Sequence, residues 1–402
     1  MSGAPVSERA EALDALRGFA LLGILITHLP DFSGYTFMSE AELAGVDRFG
    51  LDAALWDALQ VLIRGKFLAL FALLFGVGFS IQLESAARRG DGFPIRYARR
   101  LGALFVIGAC HAAIWYGDIL KDYALLGFVL LAVSGCSVRT VAALACVTLL
   151  LRLVWPLMVW AAVSLLTSMP GGGGGERFFY LARSFSSPDF SLIFAANLDL
   201  VGIKALQFVY EGRFLSVLAM FLIGATIGRL QLYRNLRAHR SLFRTVLLVA
   251  APIGLAGNFL LLRLHSADGG FPPTLAWIAE QMTYALAVPA LTLAYASAFA
   301  LLWTTPAEGA LKFLAPAGRT ALTTYVSQTL IGVALFYGVG LNLQGRLGLV
   351  ELTALAFAIF AVQTAAAALW LGRFRFGPLE WAWRCATYGA LLPLRAPTIP
   401  RR

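Results

Sequence analysis

Charge is what this sequence has least of. Of its 402 residues 13% are charged and 59% hydrophobic, and the mean hydropathy is +0.76. A soluble domain carries roughly twice that share of charge. The composition therefore excludes a water-soluble fold and indicates a polytopic membrane protein. Cysteine is scarce as well. Cys110, Cys136, Cys146 and Cys385 lie in or beside apolar segments, at spacings that fit neither a disulfide framework nor a metal site, so free thiols and no metal are expected. There is no Walker-type loop and no Gly-rich turn between a strand and a helix, so no nucleotide-hydrolysis motif is present. The N-terminus lacks a basic n-region and a small-residue cleavage site after an uncharged core, which points to a retained first helix rather than a signal peptide.

What is present is a succession of apolar windows about twenty residues long, near 12–30, 59–83, 100–117, 119–135, 139–167, 211–230, 243–263, 277–303, 319–341 and 349–372. The expected fold is an all-α transmembrane bundle of about ten helices. The net charge of +10 reflects arginines gathered in three places: the 84–100 connection, the 229–244 connection and the tail after 372. Ten crossings put all three on one side. By the positive-inside rule that side and both termini are cytoplasmic, and nucleic acid is not an expected partner. The 168–210 connection opens with five glycines, Gly171 to Gly175, followed by an aromatic-rich stretch expected to form one or two helices at the outer interface. It separates an N-terminal five-helix half, 1–167, which carries the candidate site, from a C-terminal half, 211–402.

Several ionisable residues fall where a bilayer makes them costly, which marks them as functional candidates. On the first helix, Arg17 and His28 are eleven residues apart, so they share a face and stand roughly 16 Å apart along the axis. Asp14 is one turn from Arg17 and can pair with it. In the third segment Arg100 and His111 repeat the spacing, and Asp118 follows His111 by seven, within about 20° of it if the helix continues. An imidazole beside a carboxylate is suited to general-base work, because the carboxylate fixes the tautomer. Arg64 and Lys66, on the outer side, run against the orientation rule and are candidates to hold an anionic substrate group or to snorkel to headgroups. Arg152 lies inside the fifth segment and needs a partner such as Glu211, Glu280 or Glu351. Gly76 and Gly78 suit close helix packing.

The stretches Leu13–Leu25, Lys66–Gly76, His111 followed by Gly117-Asp118-Ile119-Leu120, Gly318–Tyr325 and Phe376–Trp381 resemble the YeiB-like membrane proteins, a family of unknown function. That family is grouped by resemblance with the transmembrane acyltransferases, among them the lysosomal heparan-glucosaminide acetyltransferase and the bacterial polysaccharide O-acyltransferases. The resemblance implies an inner-membrane protein that takes an acyl group from cytosolic acyl-CoA and places it on a glycan or lipid-linked sugar across the bilayer. YeiB-like proteins usually carry Asn where this chain has His28, whereas the O-acyltransferases carry Arg, ten residues, then a catalytic His, as Arg17 and His28 stand here. His111 and Asp118 match the YeiB-like pattern, so either imidazole is a candidate base. Asp14 and Arg17 are candidates for the donor phosphates, and Arg64, Lys66 and Arg152 for the acceptor. A proton-coupled transporter or lipid exporter is the alternative, and a non-catalytic scaffold a third reading.

Overall fold

The computed structural model describes residues 6–90, 92–166, 181–264 and 273–395 and is built almost wholly of helices, with one isolated antiparallel bridge, Phe374 to Arg395. The elements are α1 (Val6–Phe32), α2 (Glu40–Val46), α3 (Asp52–Leu62), α4 (Lys66–Arg89), α5 (Phe93–Ile114), α6 (Leu120–Ala132), α7 (Val138–Leu166), α8 (Phe190–Tyr210), α9 (Arg213–Arg229), α10 (Arg240–Leu264), α11 (Leu275–Leu302), α12 (Ala315–Arg319), α13 (Ala321–Phe336), α14 (Leu349–Leu371) and α15 (Pro378–Tyr388). Seven stretches among them are long and apolar enough to cross a membrane, and all four cysteines are free thiols. The run Gly171 to Gly175 lies outside the described residues.

The arginine-bearing connections meet at one end of the bundle. Glu84 accepts from Arg88 at 2.6 Å and from Arg234 at 2.5 Å, and Trp383 donates its indole N–H to the Arg100 carbonyl at 2.8 Å. The opposite end is arginine-poor and holds the end of α1 and the α5–α6 turn. The apolar helix α8 is long enough to span, but its contacts run along that second end. Asn197 donates to the Ala112 carbonyl at 2.6 Å, and Lys204 lies over the Tyr116 ring at 5.9 Å. Trp155 donates to the Val209 carbonyl at 2.9 Å, and Tyr210 packs on Trp277 at the start of α11. Phe185, just before the helix, stacks on Tyr116 and on Tyr337 beyond the end of α13. These contacts tie both the middle and the C-terminal end of α8 to the arginine-poor end.

Close helix crossings bring the two expected halves together. A Cβ on Gly76 would stand 2.0 Å from the Phe221 carbonyl oxygen, and one on Gly224 2.0 Å from that of Leu73, so α4 and α9 meet backbone to backbone. Gly18 and Gly318 do the same for α1 and the 314–319 segment. Only glycine permits such approach. Two helix starts are capped from far away in sequence. Asp52 accepts from Leu349 N at 2.6 Å and Val350 N at 3.0 Å, and Glu380 accepts from Leu322 N at 2.6 Å and Thr323 N at 3.1 Å. Each carboxylate satisfies N–H groups that a helix start leaves without partners and sits at the positive end of the helix dipole.

Candidate functional site

The first helix is continuous from Val6 to Phe32, so its polar residues keep the expected spacing. Arg17 donates to the Asp14 carboxylate and lines a cavity of about 470 Å³ toward the arginine-rich end. His28 lines a second cavity, of about 200 Å³, toward the other end. Tyr123 lines both, its hydroxyl donating to the Leu68 carbonyl at 2.7 Å. The wall between the cavities is completed by Leu120 and Tyr325 on the arginine-rich side and by His28, Asp118 and Ile119 on the other.

The fifth helix does not continue to 117 as the apolar window predicts. It ends at Ile114, and Trp115 turns extended at φ −150° and ψ 125°. Asp118 therefore meets His111 through a turn and not along a helical face, at 2.7 Å from Oδ1 to Nδ1. The same carboxylate accepts from Leu120 N at 3.1 Å and Lys121 N at 3.0 Å, so it also starts α6. With an acceptor at Nδ1, the partners assign the ring proton there, and Nε2 accepts the Thr329 hydroxyl at 2.8 Å. His111 is thus engaged at both nitrogens, is 2% exposed, and lines neither cavity.

His28 differs on each count. Its ring packs edge-on against Trp115 at 4.5 Å and stands 6.2 Å from Tyr325, and no hydrogen bond to its nitrogens is found among the described residues. Its 9% exposure opens into the second cavity. Of the two candidate bases, His28 is the one with nitrogens available at a cavity wall. His111, Asp118 and Thr329 form a closed hydrogen-bonded unit behind it, and Tyr325 packs on the His111 ring at 5.1 Å.

The remaining candidates are placed elsewhere. Lys66 is 1% exposed and donates its ammonium to the Gln60 carbonyl at 2.6 Å, where it caps the end of α3. Arg64 lies over the Trp56 ring at 5.8 Å. Neither lines either of the two cavities. Arg152 is fully buried, and its expected carboxylate partner is replaced by neutral groups: Nε donates to Ser216 Oγ at 3.1 Å and Nη2 to Gln281 Oε1 at 3.0 Å, while Nη1 has no partner. Glu211 is taken by Arg213 and Gln207, and Glu351 by Arg48. Ser216 lines the second cavity, so Arg152 stands one residue behind its wall.

Sequence reasoning misses Thr329, Tyr123 and the meeting of Arg96, Arg100, Arg319 and Arg384 in one cavity. The arginines carry a signal, but membrane orientation already accounts for it. Thr329 carries none, because only folding brings it to His111 across 218 residues.

Comparison with known proteins places the sequence in a family. The family described as "Protein of unknown function (DUF418)" matches residues 227–390. The chain is similar to the uncharacterized protein YxaH of Bacillus subtilis, 30% identical with 98% of this chain and 97% of that protein covered. It is also similar to the uncharacterized protein YeiB of Escherichia coli, 30% identical over 96% of this chain and 98% of that protein. An uncharacterized 39.9 kDa protein of Bacillus acidopullulyticus is 28% identical over 97% of the chain and 96% of its own length. With 30% identity over nearly the full length of such relatives, this chain belongs to the YeiB-like family of membrane proteins.

Proposed function

We propose that this protein is a membrane acyltransferase that moves an acyl group from cytosolic acyl-CoA to a hydroxyl or amine of a glycan or lipid-linked sugar on the far side of a bacterial plasma membrane. The observation that carries the reading is the pair of cavities that share Tyr123 in their linings, with the imidazole of His28, which makes no hydrogen bond among the described residues, lining the second. The donor enters at the arginine-rich end, and Arg17 stands roughly 16 Å before His28, the length of an extended uncharged arm. The acceptor enters beside Trp115 and Lys204. As its oxygen or nitrogen attacks the thioester carbonyl carbon, His28 takes the proton. The tetrahedral adduct then collapses, the C–S bond breaks, and the thiolate leaves toward the arginines and recovers the proton from the imidazolium. General-base action of this kind contributes about 10² to 10⁴ in rate. The His111–Asp118–Thr329 unit holds Tyr325 and the wall in place.

Membranes supplied with radiolabelled acetyl-CoA test the reading. His28→Ala is expected to lower transfer at least about 10²-fold, and full transfer in both His28→Ala and His111→Ala would sink it. A proton-coupled carrier or lipid exporter would use the same two cavities in alternation, and would give flux into proteoliposomes with no labelled product.

A further inference from the structure

The cavity at the arginine-rich end is strongly positive. Arg17, Arg89, Arg96, Arg100, Arg319 and Arg384 line it, supplied by α1, α4, α5, α12 and α15. Arg17 is neutralised by Asp14. Arg100, Arg319 and Arg384 have no carboxylate within ion-pair distance among the described residues. Arg100 instead lies 3.4 Å from the centre of the Trp383 ring, and Arg384 lies 4.5 Å from that of Phe376. The one carboxylate in the lining, Glu380, gives one oxygen to Leu322 N and Thr323 N and the other to the Thr323 hydroxyl, at 2.6 Å. Asp14 acts on Arg319 only at longer range, beside its pair with Arg17, so three guanidinium groups from three separate helices repel one another across a cavity of this size, and an anion among them would relieve that repulsion. Guanidinium is the group best matched to phosphate oxygens, which it binds in pairs.

The lining changes with depth. Beyond the arginines the walls are apolar, with Phe71, Leu74, Phe75 and Leu104 leading to Tyr123. Near the mouth, Trp383 and Tyr388 bring aromatic rings to the lining, each with an arginine over one face, Arg100 at 3.4 Å and Arg96 at 5.4 Å, so that a ligand's base would stack on the opposite face. A ligand that fits has several phosphates at one end, a planar ring system beside them, and an uncharged arm that reaches inward. We infer that Arg100, Arg319 and Arg384 form a polyphosphate site for a nucleotide bearing an uncharged arm, with Trp383 or Tyr388 stacking on its base. This rests on the reading above only for what the arm carries. Binding itself requires no acyl group.

The probes are free coenzyme A, adenosine 3′,5′-bisphosphate and pantetheine, titrated by calorimetry against the full-length protein in nanodiscs of phosphatidylcholine or of phosphatidylglycerol. Coenzyme A and the bisphosphate should bind and pantetheine should bind at least about tenfold more weakly, with affinity falling as salt rises. Arg100→Gln, Arg319→Gln and Arg384→Gln should each weaken coenzyme A at least about tenfold, Arg→Lys at the same positions should restore part of it, and unfolding temperatures guard against misfolded variants. Equal affinity for pantetheine and coenzyme A, or unaltered binding in all three Gln variants, would overturn the inference. So would nucleotide binding that phosphatidylglycerol abolishes at the same ionic strength, because the cavity would then be a lipid-headgroup site. His28→Ala should bind coenzyme A as the unaltered protein does. Binding without acyl transfer would defeat the proposed reaction and leave this site standing, whereas transfer indifferent to the three arginines would do the reverse.

Discussion

Asp118 concentrates several roles in one carboxylate. It accepts from His111 Nδ1 and from the backbone N–H groups of Leu120 and Lys121, the first two bonds buried and the third part-buried. Asp118→Ala leaves those donors unpaired at a cost of roughly 1–3 kcal/mol for each buried group that finds no substitute. A fall in unfolding temperature in detergent, with loss of transfer, is the expected outcome, and a variant as stable as the parent would show that the turn does not depend on it. Lys66 makes the opposite case. It was singled out in the sequence as a possible anion contact, yet its ammonium is used by the Gln60 carbonyl. Lys66→Met should therefore lower stability, by on the order of 1–3 kcal/mol, and leave KM for the acceptor unchanged. A raised KM at unchanged stability would place an anion there after all.

Helix contacts depend on a few glycines that can be tested one by one. Gly76 and Gly224 let α4 and α9 touch, and any Cβ there would need carbonyl oxygens to move. Gly76→Val should cost about 1–3 kcal/mol by overpacking, or prevent folding outright. Gly78 was grouped with Gly76 on sequence, but a Cβ there would stand 3.9 Å from the Arg17 guanidinium at the cavity and meet nothing closer. Gly78→Ala should be tolerated, so unfolding temperatures of the two variants separate packing from cavity lining. The C-terminal helix is fastened by Glu380 to the start of α13. Glu380→Ala removes that cap, and limited proteolysis is expected to cut within 372–395 faster than in the parent protein.

Across the whole molecule, the decisive test is of sidedness. Both ends of α8 touch the arginine-poor end, so single cysteines at Asp189 and Glu211 in a protein free of its four native cysteines should react with an impermeant maleimide from the same side. A cysteine at Tyr233, beside the Glu84–Arg234 pair, should react from the other side only. Labelling of positions 189 and 211 from opposite sides would make α8 a crossing helix and invert the placement of everything after it. The same layout explains why the site is shared by both expected halves: α1, α5 and α6 supply His28, His111 and Tyr123, while α12, α13 and α15 supply Arg319, Tyr325 and Arg384.

The sequence by itself determined the class of fold, the gathering of arginines at one end, and the order Asp14, Arg17, His28 along one helix, because hydropathy and helical period act locally. It also marked His111 and Asp118, whose separation of seven residues survives the turn that replaces the expected helix. It left the two imidazoles equal. Only the tertiary structure separated them, by giving His111 a threonine from 218 residues away and leaving His28 open to a cavity. The same is true of the arginines. On the chain they read as the usual cytoplasmic charge of a membrane protein, and only helix crossings at Gly18 and Gly318, with the docking of the last helix, turn Arg100, Arg319 and Arg384 to face one space. Such convergence rests on contacts between distant segments, which no local pattern encodes.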